Sequence, residues 1–72
     1  MSQTKTIAGI EFEAVRIMRP IPHWRPRVVS TGYLYDSGIF NSESRPKMFE
    51  SIKYMARRIG HERFAKETLE AR

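Results

Sequence analysis

Residues 48–59 read Met-Phe-Glu-Ser-Ile-Lys-Tyr-Met-Ala-Arg-Arg-Ile, and their apolar side chains recur at helical spacing. At about 100° per residue these side chains fall within an arc roughly 120° wide, as in an amphipathic helix that covers one surface. They are Met48, Phe49, Ile52, Met55, Ala56 and Ile59. Ser44 is a suitable N-cap, Pro46 fits a first turn, and Gly60 fits a C-terminal end. We therefore predict one long amphipathic helix over residues 48–59.

A strand is predicted upstream, beginning near residue 6, because apolar and acidic residues alternate there. The alternating residues are Ile10, Glu11, Phe12, Glu13 and Ala14. The alternation breaks after Ala14, because Val15 and Ile17 fall on the opposite register. Either a bulge or a strand that is covered on both faces is expected at this point.

Two more strands are predicted before the helix. Residues 27–35 are rich in β-branched and aromatic side chains, which favour strand structure. The cluster Asp36-Ser37-Gly38 has the composition of a hairpin turn, so a short strand is expected over residues 39–41. Residues 19–26 contain three prolines and are predicted to form the loop between the first two strands.

A short terminal helix is predicted over residues 62–69, docked through Phe64, Ala65 and Leu69. The predicted fold class is α+β: a small three-stranded antiparallel β-sheet packed on one amphipathic α-helix (β-β-β-α), with a short C-terminal helix. At 72 residues the chain is long enough for one small domain with a limited core. We therefore predict a single small basic domain over residues 1–72.

Composition narrows the class of protein. Cysteine is absent, which excludes disulfides and thiolate metal sites. The first residues lack the apolar segment of a signal peptide, and no run of apolar residues approaches membrane-spanning length. A cytoplasmic protein without membrane association is expected.

Charge points to an anionic partner. The chain has 13 Lys and Arg against 8 Asp and Glu, a net charge of +5 and a pI near 10.1. Residues 16–27 hold four arginines and no acidic residue, and residues 44–59 hold five cations against Glu50. Two basic clusters in a chain this small favour a polyanion or an acidic protein surface.

The first basic cluster reads Arg-Ile-Met-Arg-Pro-Ile-Pro-His-Trp-Arg-Pro-Arg over residues 16–27. Its prolines predict a stiff exposed segment, and arginine and tryptophan are the side chains that commonly bind phosphates, bases and protein hot spots. The candidate binding residues here are Arg16, Arg19, His23, Trp24, Arg25 and Arg27.

The second basic cluster lies on the predicted helix, outside its apolar arc. Tyr54 is the aromatic residue that falls clearly on this outer face, and either base stacking or packing on the terminal helix would explain it. The candidate binding residues here are Lys47, Lys53, Tyr54, Arg57 and Arg58.

Catalytic and metal-binding motifs are absent from the sequence. His23 and His61 have no carboxylate at a diagnostic spacing, and no Gly-rich phosphate loop or paired-carboxylate motif occurs. A small ribonuclease that uses His23 is a minor alternative. A helix-turn-helix over residues 55–69 is disfavoured, because Lys66 would take an apolar position. We expect no enzyme, no cofactor and no metal.

Two functions remain open at this point. The first is a non-enzymatic nucleic-acid-binding module, for DNA or RNA, whose basic side chains contact phosphates. The second is a protein–protein interaction module, such as a small phage-type inhibitor or regulator that docks on an acidic surface of a larger complex. The open edges of a three-stranded sheet also make a homodimer an expectation.

Overall fold

The computed structural model describes residues 4–35 and 40–71. Its elements are strands β1 (Thr4–Ile7), β2 (Ile10–Ile17) and β3 (His23–Val28), followed by helices α1 (Arg45–Ile59) and α2 (His61–Glu70). The strands form one antiparallel sheet in the order β1-β2-β3. The α+β class, the three strands and the two helices are confirmed, but the chain segments that form the strands differ from the prediction.

The first two strands form a hairpin that the sequence pattern did not reveal. Ile7 pairs with Ile10, and the turn between them consists of Ala8 and Gly9, whose φ angles are 54° and 78°. Positive φ at both central residues suits a type I′ hairpin turn. The prediction of a single strand starting near residue 6 is therefore wrong, because the chain reverses at Gly9.

The first four residues of strand β3, residues 23–26, lie inside the segment predicted to be the loop 19–26. It pairs with β2 in unbroken register, from Phe12 opposite Val28 to Ile17 opposite His23, so the predicted bulge alternative is wrong. The Pro26 carbonyl accepts a hydrogen bond from Tyr35 on the side away from β2. An N–H at this position would point to the same outward side, so its absence in proline leaves the hydrogen bonds between β2 and β3 intact. The connecting loop is only residues 18–22, and its Arg19–Pro20 peptide bond is cis.

The predicted strand over residues 27–35 is wrong beyond Val28, where β3 ends. After Val28 the chain turns, and the Gly32 N–H donates to the Val28 carbonyl at 2.8 Å. Leu34 keeps a single bridge to Arg27. The predicted turn 36–38 and Ile39 lie outside the described residues, and residues 40 and 41 are not in a strand.

The helices match their predicted positions closely. α1 begins at Arg45, with Ser44 as N-cap but without a side-chain capping hydrogen bond. Gly60, at φ 96°, separates α1 from α2. On α2 the docking residues are Phe64 and Thr68, whereas Leu69 is 47% exposed, so the prediction for Leu69 is wrong.

The hydrophobic core combines residues of the sheet and of both helices. Phe12 is fully buried, and its ring centroid lies 6.2 Å from that of Phe64. The other buried apolar residues of this cluster are Ile7, Ile10, Val28, Phe40, Met48, Phe49, Ile52 and Ala56. Within the described ranges, no helix has the length and apolar character needed to cross a membrane.

Candidate nucleic-acid interface

Trp24 is the centre of a cluster of cations. Arg16 of β2 is its cross-strand partner, so the two side chains project from the same face of the sheet. The Arg16 guanidinium lies 5.1 Å from the centre of the Trp24 ring, and the Arg45 guanidinium lies 5.6 Å from it. Both distances are within the range of a cation–π interaction. A half-buried tryptophan thus holds two guanidinium groups from different parts of the chain.

The segment before α1 is fixed to β3 next to this ring. The Trp24 N–H donates to the Ser42 carbonyl at 2.7 Å, and the Ser42 N–H donates back to the Trp24 carbonyl at 3.2 Å. The Ser42 hydroxyl accepts a hydrogen bond from the Ser44 N–H at 3.2 Å. This pairing places the start of α1, and therefore Arg45, beside Trp24.

The positive charge of this cluster is not neutralised within the described residues. Among residues 4–35 and 40–71, no carboxylate lies within ion-pairing distance of Arg16 or Arg45. Arg45 and Lys47 occupy the first turn of α1, which has no acidic residue. The helix dipole disfavours cations at that end. The electrostatic potential here is therefore positive and suited to an anion.

A groove beside the cluster carries a further cation. Thr4, Lys5, Arg45, Pro46 and Phe49 line it, between the outer edge of β1 and the start of α1. The Lys5 ammonium lies 5.7 Å from the centre of the Phe49 ring. Arg45 thus belongs both to the Trp24 cluster and to a groove that carries Lys5.

His23, Arg25 and Arg27 project from the opposite face of the sheet, because side chains alternate along β3. The His23 Nδ1 atom donates to the Ile21 carbonyl at 2.6 Å, so its Nε2 atom accepts the hydrogen bond from Arg25 Nε at 3.0 Å. Arg27 forms an ion pair with Glu13, its cross-strand partner. The structure therefore separates these three predicted residues from Trp24 and Arg16, and it neutralises Arg27.

The predicted residues of the second basic cluster form another surface. Tyr54 is 62% exposed on the outer face of α1. The Lys53 ammonium lies 3.8 Å from the Glu50 carboxylate. Tyr54 follows Arg45 by nine residues, which corresponds to a rotation of about 180° on a helix. Lys47, Arg57 and Arg58 accompany Tyr54 on the solvent side. Arg19 stands apart in the exposed loop 18–22.

The predicted binding residues thus lie on three separate surfaces. Two cations near Trp24 and the groove, Arg45 and Lys5, were not among the predicted binding residues. Arg45 was counted only as part of the charge excess, although a cation next to the predicted N-cap Ser44 was a usable signal. Lys5 precedes the strand that was predicted to begin near residue 6, and it lies in β1. Within the described ranges, no three His, Asp or Glu side chains converge as metal ligands would.

No protein-family model, no curated protein and no solved structure matches this chain.

Proposed function

We propose that this chain is a small, non-enzymatic nucleic-acid-binding module whose phosphate-contacting surface is centred on Arg16, Trp24 and Arg45. The observation that carries the proposal is that two guanidinium groups, 5.1 Å and 5.6 Å from one tryptophan ring, have no acidic partner among the described residues. Guanidinium groups bind phosphate oxygens through paired, charge-assisted hydrogen bonds.

Trp24 acts in this proposal as a support for the arginines. A long arginine side chain loses rotamer freedom when it binds, and a side chain that is already held on a ring loses less. Two guanidinium groups lie over this ring, so stacking of a base on Trp24 is not part of the proposal. The sheet packed on amphipathic α1 would serve as the rigid frame that keeps the arginines in place.

The remaining predicted cations would extend the positive electrostatic field around Arg16, Trp24 and Arg45. Arg19 is exposed and would contact a phosphate beside the cluster, whereas Lys47, on the Tyr54 side of α1, would act only at longer range. Arg57 and Arg58 would contribute at longer range, where salt screens them most strongly. Affinity should therefore fall steeply as salt rises.

The test is a fluorescence titration of Trp24 with a duplex of 20 base pairs, at about 50 mM and about 200 mM salt. We expect a saturable change that weakens at the higher salt. The double variant Arg16→Gln/Arg45→Gln should bind about a hundredfold more weakly, about tenfold for each lost charged contact. Arg63→Gln/Lys66→Gln, which removes two charges from α2, is the matched control. Equal affinities for the two double variants would show that the cluster has no special role.

A second candidate function is docking on an acidic protein surface, and the exposure of Tyr54 favours it. Tyrosine is enriched at protein hot spots, and this one is 62% exposed beside a groove lined by Phe40, Glu50, Ser51 and Met55. The two functions use opposite sides of α1. Tyr54→Ala should therefore abolish protein docking and leave duplex binding unchanged.

The homodimer stays a prediction. The outer edge of β3 is hydrogen-bonded to Tyr33, Tyr35 and Ser42, whereas β1 has no strand beyond it among the described residues. A second copy would pair along β1.

A further inference from the structure

The loop between β2 and β3 carries two exposed apolar side chains at its tip. Met18 is 60% exposed and Ile21 is 59% exposed, which places both among the most exposed large hydrophobic residues of the described chain. Large apolar side chains that are grouped on one protruding loop favour insertion into an apolar space. The two belong to no part of the core cluster.

The tip is held by the strands on either side. Pairing of β2 with β3 continues up to Ile17 and His23, so only residues 18–22 are outside the ladder. Pro20 and Pro22 restrict the backbone of the loop. The His23 ring donates to the Ile21 carbonyl at 2.6 Å and fixes the returning arm. Met18 and Ile21 are therefore presented on a stiff support, which lowers the entropy lost on binding.

The loop and the two strands that lead to it carry only positive charge, although Glu43, before α1, lines a groove together with Pro20 and Ile21. Residues 14–35 contain no Asp or Glu, and Arg19 lies between Met18 and Ile21 in the sequence. Arg16 and Arg25 lie on the two strands that lead to the tip. A partner for this surface must combine dense negative charge with a narrow apolar gap. The phosphates and the stacked bases of a nucleic-acid duplex have both properties.

We propose that Met18 and Ile21 form a wedge that enters between two neighbouring base pairs of a duplex, while Arg16 and Arg19 hold the flanking phosphates. The inference rests on the proposed function and adds to it the form of nucleic acid and its deformation. Apolar side chains that enter a base step unstack it and bend the duplex.

The test uses a duplex that contains 2-aminopurine at successive positions and a donor–acceptor dye pair at its ends. On binding of the full chain, we expect 2-aminopurine fluorescence to rise at one step and the distance between the duplex ends to shorten. The Met18→Ser/Ile21→Ser variant should lose both signals and bind within about tenfold of the unaltered chain, because its phosphate contacts remain. Val29→Ser/Leu69→Ser, which alters two exposed apolar residues away from the tip, is the matched control and should keep both signals.

The possible results distinguish the proposed wedge from the proposed nucleic-acid-binding module. Saturable duplex binding without either signal overturns the wedge and leaves the proposed function standing. Retention of both signals by the Met18→Ser/Ile21→Ser variant also overturns it. Absence of salt-dependent duplex binding overturns both proposals. Circular dichroism of each variant confirms that the altered surface residues leave the fold intact.

Discussion

The guanidinium group of Arg45, the first residue of α1, lies 5.6 Å from the centre of the Trp24 ring on β3. The chain between these two residues contains a turn and a segment that is paired with β3. Arg16 reaches the same ring from β2 at 5.1 Å. One aromatic side chain thus fixes two cations that would otherwise move independently. This relationship allows the orientation of the charges to be tested separately from their number.

Replacement of Trp24 by Leu should weaken duplex binding although the net charge is unchanged. Without the ring, each arginine would lose about 0.5–1.5 kcal/mol more on being ordered by a phosphate, so we expect an affinity loss of about tenfold. The dependence on salt should stay the same, because the number of contacted phosphates is unchanged. Fluorescence anisotropy of a labelled duplex measures both quantities.

Two further variants control this experiment. Trp24→Phe keeps an aromatic face and should lose less affinity than Trp24→Leu. Tyr54→Leu removes an exposed aromatic residue from the far side of α1 and should bind as the unaltered chain does. Unchanged affinity for a folded Trp24→Leu protein would mean that net charge alone attracts the duplex.

Glu13→Gln identifies which face of the sheet contacts the duplex. This change removes the carboxylate that pairs with Arg27 and frees an arginine on the face opposite Trp24. Since that face lies outside the proposed interface, only long-range attraction should increase, and we expect affinity to rise by no more than about threefold at moderate salt. An increase of tenfold or more in the same anisotropy assay would place the interface on the Arg27 face.

The positions of the helices could be predicted from the sequence. For the strands, the number could be predicted but not the residues that form them. Apolar spacing over residues 48–59 reports burial directly, so α1 was located correctly. The strand prediction over residues 27–35 followed β-propensity, which depends on the packing partners that a strand finds. Here β3 ends at Val28 and the chain folds back through Gly32 onto its outer edge. Pro26 favoured a loop over residues 19–26, yet a strand forms there, because the missing N–H of Pro26 would face away from β2.

The candidate site was predicted by residue type and not by arrangement. Arginine, tryptophan and lysine residues were identified, yet the strand register decides which of them meet. Arg16 and Trp24 are cross-strand partners, whereas Arg27 is opposite Glu13 and forms an ion pair with it. Without the β1–β2 hairpin and the position of β3, the sequence carries no information about that register.

Gly9→Ala tests the hairpin that sets the register. The added Cβ would meet no atom within 4 Å, so the effect reports backbone conformation alone. At φ 78° an alanine is strained, and we expect a loss of about 1–2 kcal/mol in the free energy of unfolding. Urea denaturation measures this loss. Gly9→Asn should be less destabilising, because asparagine tolerates positive φ. Equal stability of the alanine variant and the unaltered chain would contradict a turn of this type.

Tyr35 should make the fold sensitive to alkaline pH. Burial raises the pKa of its phenol above the ordinary value of 10.0, and Tyr33 adds to this effect, whereas hydrogen bonding with Thr68 opposes it. A raised pKa in the folded state means that folding favours the protonated phenol. The corresponding stability is fully present below about pH 10, the pKa in the unfolded chain, and is lost as pH rises through the higher pKa of the folded state.

The Tyr35→Phe variant isolates this contribution, because it removes the Tyr35 hydroxyl and keeps the aromatic ring. We expect the unaltered chain to lose more of its free energy of unfolding than Tyr35→Phe between about pH 9 and about pH 11, as measured by urea denaturation at each pH. The phenylalanine ring keeps the edge-on contact with Phe40, whose centroid lies 5.3 Å from that of Tyr35. A parallel decline of the two proteins over this pH range would show that the phenol titrates alike in the folded and unfolded states.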